Sequence, residues 1–244
     1  KRAKGVRIQP SLCFYDTREV LNCLRHNRQV RSWLKFISNH YIPKSHDILL
    51  IYPCSADKPY YRSRSYMQLY RTLSKLGDDR RRIHLATISE PFGLVPEEFY
   101  DKKTWWHDWK NEWYDCPGLF EWWCKKYERP YSEEEASQCI RILARNIALF
   151  LKKVKSKRRY KKIIAFVRTY SSNLKRTRDQ THRRMIEKAV EMSGMKVQIM
   201  PPRALVSRIV KGNRRFAWDM YGVSHPEAQE YLFKKLRALL HDQD

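Results

Sequence analysis

The sequence predicts an α/β protein, a three-layer sandwich built on a mainly parallel central sheet, and three observations carry that expectation. Four short apolar runs, at 47–52, 83–88, 162–167 and 196–200, have the length and β-branched content of buried strands. Segments with a helical apolar period lie between them, and strands that alternate with helices pair in parallel and are covered on both faces. The first two runs also end in polar loops, as expected where ligands sit beyond the carboxyl ends of the strands of an open α/β sheet.

Taken in order, residues 1–45 read as an N-terminal helical extension and 46–244 as the α/β domain. Ile8, Leu12 and Phe14 suggest an edge strand. Asp16-Thr17 caps a helix running to about His26, and a second helix, Val30 to His40, puts Trp33, Leu34, Phe36 and Ile37 on one face before Pro43. After the first strand, Ser65 to Leu76 is a helix with Tyr66, Leu69, Tyr70 and Leu73 inward, stopped at Gly77. A Trp-rich insertion at about 99–131 holds Trp105, Trp106, Trp109, Trp113, Trp122 and Trp123. It reads either as a packed arm or as a base-stacking surface. Ser132-Glu133-Glu134-Glu135 starts a helix to Val154, because a hydroxyl cap and acids both favour the positive end of a helix. A basic helix to Met192, a helix from Arg203 to Val210 and a last one from Pro226 to Leu240 complete the alternation.

Charge bounds the partners. A formal net charge of +24 over 244 residues exceeds what solubility needs and favours a polyanion. Between Lys152 and Arg184 stand fourteen Lys/Arg and a single acid, Asp179. Lys152, Lys153, Lys155, Lys157, Arg158, Arg159, Arg168, Lys175, Arg176 and Arg178 are the candidate nucleic-acid contacts, with a solvated basic face as the plainer alternative. No apolar run reaches the roughly 20 residues of a membrane span. The basic start has no apolar stretch behind it and reads as a trimmed terminus without an export signal. The six cysteines are irregularly spaced, so reduced thiols in a cytoplasm are expected rather than a disulfide framework. No C-x-x-C pair occurs, and His107, Cys116 and Cys124 give only a weak metal pattern, so neither a metal nor a cofactor is expected.

The loop after the first strand concentrates the chemistry. Cys54, Ser55, Asp57, Lys58, Tyr60, Ser63 and Ser65 fall at its carboxyl end, with Glu90 and Phe92 at the end of the second strand. Cys54 is either a nucleophile, if Lys58 and loop amides favour its thiolate, or a small buried hydrophobe. Lys58 either meets substrate or pairs with Asp57 or Glu90. Tyr60 and Phe92 are candidates to stack on an extruded base, with wedging of the loop against the core as the alternative for Tyr60.

The stretch Pro53-Cys54-x-x-x-Lys58-Pro59-Tyr60-x-x-Ser63 resembles the PC-x3-KPY-x2-S-x2-H signature of the archaeosine synthase family. The resemblance continues through Pro91-Phe92-Gly93-Leu94-Val95-Pro96-Glu97-Glu98 and Tyr114-Asp115-x-Pro117, and covers about residues 46 to 175. It implies a catalytic core like the uracil-DNA glycosylase type of α/β fold. It also implies an activity: addition of lysine's side-chain amine to the nitrile of 7-cyano-7-deazaguanine in tRNA. The amidine formed is cleaved by a radical-SAM partner to archaeosine. The catalytic candidates are then Cys54, Lys58, Ser63 and Asp115, with Ser55, Asp57, Tyr60, Tyr66, Glu90 and Phe92 around the substrate. The final His of the signature is Tyr66 here, which puts a proton-transfer role at that position in question. The transglycosylase-like and PUA domains of full-length members do not occur in these 244 residues, so substrate capture is expected to fall to the chain's own charge or a partner. The same modification on DNA, a glycosylase, for which Asp57 is a loose match to a water-activating acid, and a non-catalytic nucleic-acid-binding protein are the competing readings.

Overall fold

The computed structural model describes residues 5–100, 112–168, 180–211 and 222–241. Its elements are β1 (Arg7–Cys13), α1 (Thr17–His26), α2 (Arg28–Lys35), β2 (His46–Pro53), α3 (Arg64–Ser74), β3 (Ile83–Ser89), β4 (Gly93–Pro96), β5 (Glu112–Asp115), α4 (Glu121–Lys126), α5 (Glu133–Ser156), β6 (Tyr160–Phe166), α6 (Thr181–Ser193), β7 (Gln198–Met200), α7 (Arg203–Ile209) and α8 (Pro226–His241). The main sheet has the order β4-β3-β2-β6-β7. β2 pairs in parallel with β3 and β6, β6 in parallel with β7, and β4 runs antiparallel to β3.

β2 lies at the centre because both its faces are apolar: Ile48 to Tyr52 are fully buried, which a strand needs only when helices cover both sides. By alternation Ile48, Leu50 and Tyr52 share one face. Tyr52 meets the Tyr66 ring of α3 edge-on at 5.5 Å, and its hydroxyl accepts from Gln229 Nε2 of α8 at 3.1 Å. α3 packs on α8 as one outer layer, while α5, packed on α1 and α6, forms the other. This is the mainly parallel α/β sandwich that the strand and helix alternation predicts.

The N-terminal segment shares this core. Trp33 of α2 is fully buried, and its indole N–H donates to the carbonyls of Phe92 and Leu94 at 3.0 and 3.2 Å. One continuous set of buried side chains runs from Leu12 to Leu240, so no separate core begins at residue 46. The helix expected from Val30 to His40 ends at Lys35 and continues as a π-helical turn, Phe36–His40. β1 does not join the main sheet but pairs in parallel with β5 as a two-stranded sheet. β4 escapes a sequence reading because four residues carry no measurable period.

α5 follows its sequence signals closely. The Ser132 hydroxyl accepts from the Glu135 amide at 3.3 Å, Glu133 to Glu135 occupy the first turn, and Ala136, Cys139, Ile140, Leu143, Ala144 and Ile147 form the buried stripe. One glycine is sterically required. A Cβ on Gly118 would stand 2.6 Å from the Asp16 carbonyl oxygen, so only glycine lets the 115–120 loop lie on the β1–α1 junction.

Candidate active site

Strand order reverses at β2: β3 and β4 are added on one side, β6 and β7 on the other. The loops that leave β2 and β6 therefore diverge and open a crevice at the carboxyl edge, where α/β sheets place ligands. A cavity of about 430 Å³ occupies it. Its walls come from the loop after β2 (Cys54, Ser55, Lys58), the end of β3 (Ser89, Glu90), the β5 end (Tyr114, Asp115, Cys116), an aromatic rim (Phe120, Trp122, Trp123, Tyr127), and Arg168, Gln180 and His182.

Three side chains converge at its floor. Cys54 directly follows β2, and its amide donates to the Ile88 carbonyl at 2.9 Å, which ties the loop to β3. Its Sγ lies 3.7 Å from His182 Nε2. The same nitrogen lies 3.2 Å from Oε2 of Glu90, a carboxylate that is 1% exposed. The other oxygen, Glu90 Oε1, is buried without a hydrogen-bond partner. Burial by itself would lower the pKa of His182, but the Glu90 charge, then Cys54, outweigh it and push the imidazole up to about 10. The ring is held in place by Phe120, edge-on at 5.7 Å, and by the start of α6, where the Thr181 hydroxyl donates to the Leu119 carbonyl at 3.2 Å.

Lys58 is also buried, at 4% exposure. Its amine donates to the Ser55 carbonyl and stands over the Tyr60 and Tyr114 rings, 5.1 and 5.0 Å from their centres. The Tyr114 hydroxyl bonds to those of Tyr60 and of Ser89, the latter at 2.5 Å. The amine is thus fixed by a carbonyl and two rings at the cavity wall.

Of the loop and strand-end residues singled out from sequence, Cys54, Ser55, Lys58, Ser65, Glu90 and Asp115 line this cavity. Asp57 does not, and its amide donates to the Ser55 hydroxyl at 3.2 Å. Ser63 is fully buried and caps α3, accepting from the Tyr66 amide at 3.2 Å, so it polarises no substrate from there. Tyr60, Tyr66 and Phe92 are each 0% exposed. No base can stack on a ring enclosed in this way. Tyr60 and Phe92 take the wedging role, and Tyr66 is a core residue whose hydroxyl donates to the Pro53 carbonyl at 3.2 Å and bonds to Thr87.

These placements differ from the catalytic role expected of Ser63, and for Tyr66 they match the inward position that the helical period predicts. Ser63→Ala is expected to cost about 1 kcal/mol as a lost helix cap, and Tyr66→Phe about 1 kcal/mol as a lost buried hydrogen bond. Denaturant unfolding checks both, and iodoacetamide alkylation of Cys54 should proceed at the wild-type rate in each.

The part of the basic block that precedes β6 lies away from the cavity. β6 runs from Tyr160 towards Phe166, so Lys152, Lys155, Lys157, Arg158 and Arg159 lie at the opposite edge of the sheet, about 20 Å away at 3.3 Å per residue. Lys153 is held there as well: its amine donates to the Ile37 carbonyl at 2.7 Å, and burial lowers its pKa to about 8. Of the described candidates Arg168 lies at the cavity, while Lys175, Arg176 and Arg178 fall outside the described residues. Trp105, Trp106, Trp109 and His107 fall outside them too. Trp113 packs edge-on against Tyr60 at 4.9 Å, whereas Trp122, 43% exposed, and Trp123 belong to the rim.

His182 is the functional candidate that sequence reasoning missed. It stands in a basic run at a helix start, 128 residues from Cys54, and no local spacing pairs the two.

A thiol, an imidazole and a carboxylate thus meet at the switch point of the α/β sheet. Residues 30–123 match the family described as Domain of unknown function (DUF5591). The archaeosine synthase subunit alpha of Thermoplasma acidophilum is 30% identical over 132 residues, 54% of this chain and 21% of that protein. The subunit of the same name from Thermococcus kodakarensis is 39% identical over 74 residues, 29% of this chain and 13% of that protein. Over part of its length the chain is thus similar to archaeosine synthase alpha subunits, and the matched stretch spans about a fifth or less of the length of these curated relatives. A crystal structure of AF0587, a protein of unknown function, aligns with 84% of this chain and 49% of its own, at 20% identity and a TM-score of 0.46.

Proposed function

We propose that this chain forms an amidine on a tRNA base, adding an amine, lysine's, to the nitrile of 7-cyano-7-deazaguanine on the route to archaeosine. The observation that carries the reading is the placement of Cys54 Sγ 3.7 Å from His182 Nε2, on a Glu90-backed imidazole, inside an aromatic-rimmed cavity. The Cys54 thiolate adds to the nitrile carbon, and the C–S bond forms as the nitrogen takes a proton from His182. The resulting thioimidate is then attacked by the amine. A C–N bond forms, the C–S bond breaks, the thiolate leaves, and the neutral imidazole accepts the proton the amine gives up. No electron is gained or lost overall, so no oxidant or reductant is required.

The remaining cavity residues fit this sequence. Asp115 supplies an acid for the ammonium of the incoming amine, and Arg168 a cation for a phosphate or carboxylate at the mouth. Trp122 and Phe120, 6.5 Å apart on the rim, offer faces for an extruded base in place of the enclosed Tyr60 and Phe92. Cleavage of the amidine falls to a radical-SAM partner, as the resemblance implies. A cytoplasmic setting suits a tRNA substrate, and among the described residues no helix is long and apolar enough to cross a membrane.

Mass spectrometry of nitrile-bearing tRNA incubated with the protein and lysine tests the proposal. The expected product gains one whole lysine, with nothing lost. An abasic site would point to a glycosylase instead, and unchanged tRNA that stays bound would leave a binding protein. Charge at the far edge has a separate expected effect. Neutralising Lys155, Lys157 and Arg158 together should flatten the salt dependence of tRNA affinity by roughly 2–3 in log–log slope. The single-turnover rate at saturation should stay unchanged, and filter binding across a salt series with quenched assays reads both.

A further inference from the structure

We infer that Cys54, Glu90 and His182 form a binding site for a divalent metal ion, zinc by the chemistry of the donors, which competes with the use of Cys54 as a nucleophile. The donor atoms Sγ, a carboxylate oxygen and a ring nitrogen all lie within 4.8 Å of one another. Around tetrahedral zinc, with Zn–S of about 2.3 Å and Zn–N and Zn–O of about 2.0–2.1 Å, neighbouring donors stand about 3.4–3.6 Å apart. The observed separations, 3.7 Å for Cys54–His182 and 3.2 Å for His182–Glu90, differ from these by only a few tenths of an ångström.

Two further observations favour a cation. One ring nitrogen, Nε2, faces both the thiol and the carboxylate, yet it carries a single proton or a single lone pair and can serve only one of them fully. A cation among the three serves all of them. Glu90 Oε1 is moreover buried with no partner, so the carboxylate is under-satisfied, and a buried polar group in that state costs free energy that a metal would recover. The three donors come from the ends of β2 and β3 and the start of α6, all tied to the sheet, so little ordering is needed. A fourth position opens onto the cavity, the arrangement of three protein ligands plus water or substrate found in catalytic zinc sites. A thiolate with imidazole and carboxylate suits zinc better than magnesium or calcium, which take oxygen donors.

The inference concerns the same side chains as the amidine reading but does not need it. Zinc on Sγ engages the lone pair that would attack the nitrile, so the metal-bound protein is a resting, thiol-protected form. The test is zinc titration of the chelator-treated full chain, with native mass spectrometry and a competing zinc indicator, beside the rate of Cys54 alkylation by iodoacetamide. The expected result is one zinc per chain, affinity at least about 10²-fold weaker in His182→Ala and in Glu90→Gln, unchanged affinity in Cys116→Ser, and alkylation slowed at least tenfold by one equivalent of zinc. Absence of stoichiometric zinc, equal affinity in all three variants, or alkylation indifferent to zinc would each overturn the inference. None of those results touches amidine formation, which is assayed separately in chelator. Conversely, zinc binding as expected alongside no amidine product in chelator would sink the functional reading and leave the metal site standing.

Discussion

Cys54→Ala is expected to abolish amidine formation, with a loss of at least about 10³-fold under saturating substrate, because no other thiol at the cavity can take its place. Cys116 is the only other cysteine on the cavity wall among the described residues, and burial, then the Glu90 charge, push its pKa well up, which keeps it a neutral thiol. Cys54 is half-buried and lies at a loop rather than in the packed centre, so the substitution should change unfolding free energy by less than about 1 kcal/mol. Binding of nitrile-bearing tRNA should persist. Turnover by Cys54→Ala within tenfold of wild type would reassign the thiol to packing.

The second large effect belongs to the His182–Glu90 pair. Glu90→Gln keeps the shape of the side chain but removes the charge that outweighs burial and holds His182 as imidazolium. The nitrile nitrogen then loses its proton donor, and a rate loss of about 10²–10⁴-fold is expected, as for removal of a general acid. His182→Gln should fall in the same range, and the double variant Glu90→Gln/His182→Gln should be little worse than either alone, because the two act as one unit. Multiplicative losses in the double variant would mean that Glu90 and His182 serve separate steps. Quenched-flow measurement of single turnovers in chelator reads all three.

The parts of the molecule legible in the sequence were those whose signals are local. β2 and β3 announce themselves as apolar runs, α5 by its Ser132 cap and acidic first turn, and α3 by its inward period. Periodicity correctly put Tyr66 with Leu69, Tyr70 and Leu73 on one side of α3, and its buried hydroxyl contacts fit that reading rather than a role in proton transfer. The polar loop after β2 was placed at the right edge of the sheet, but which of its side chains face the cavity depends on the turn. A 3-10 turn at Tyr60–Arg62 carries Ser63 into the cap of α3 and Tyr60 into the core, and no residue-type pattern reveals that. His182 was invisible for the opposite reason, since its partners Cys54 and Glu90 are 128 and 92 residues away and only the sheet order brings them together. The Lys152–Arg184 block looked like one surface because charge counting follows the chain. β6 passes through its middle, and its length carries Lys152–Arg159 to one edge of the sheet and Arg168 to the other.

The most direct test of the covalent account is intact-mass analysis of the protein mixed with nitrile-bearing RNA in chelator with the amine donor left out. Without an amine the thioimidate cannot turn over, so the account predicts a species equal in mass to protein plus RNA with nothing lost, mapping to Cys54 after digestion, absent in Cys54→Ala, and discharged to amidine when lysine is added. Amidine formed by a protein that never carries the RNA on Cys54, or formed equally by Cys54→Ala, would contradict it.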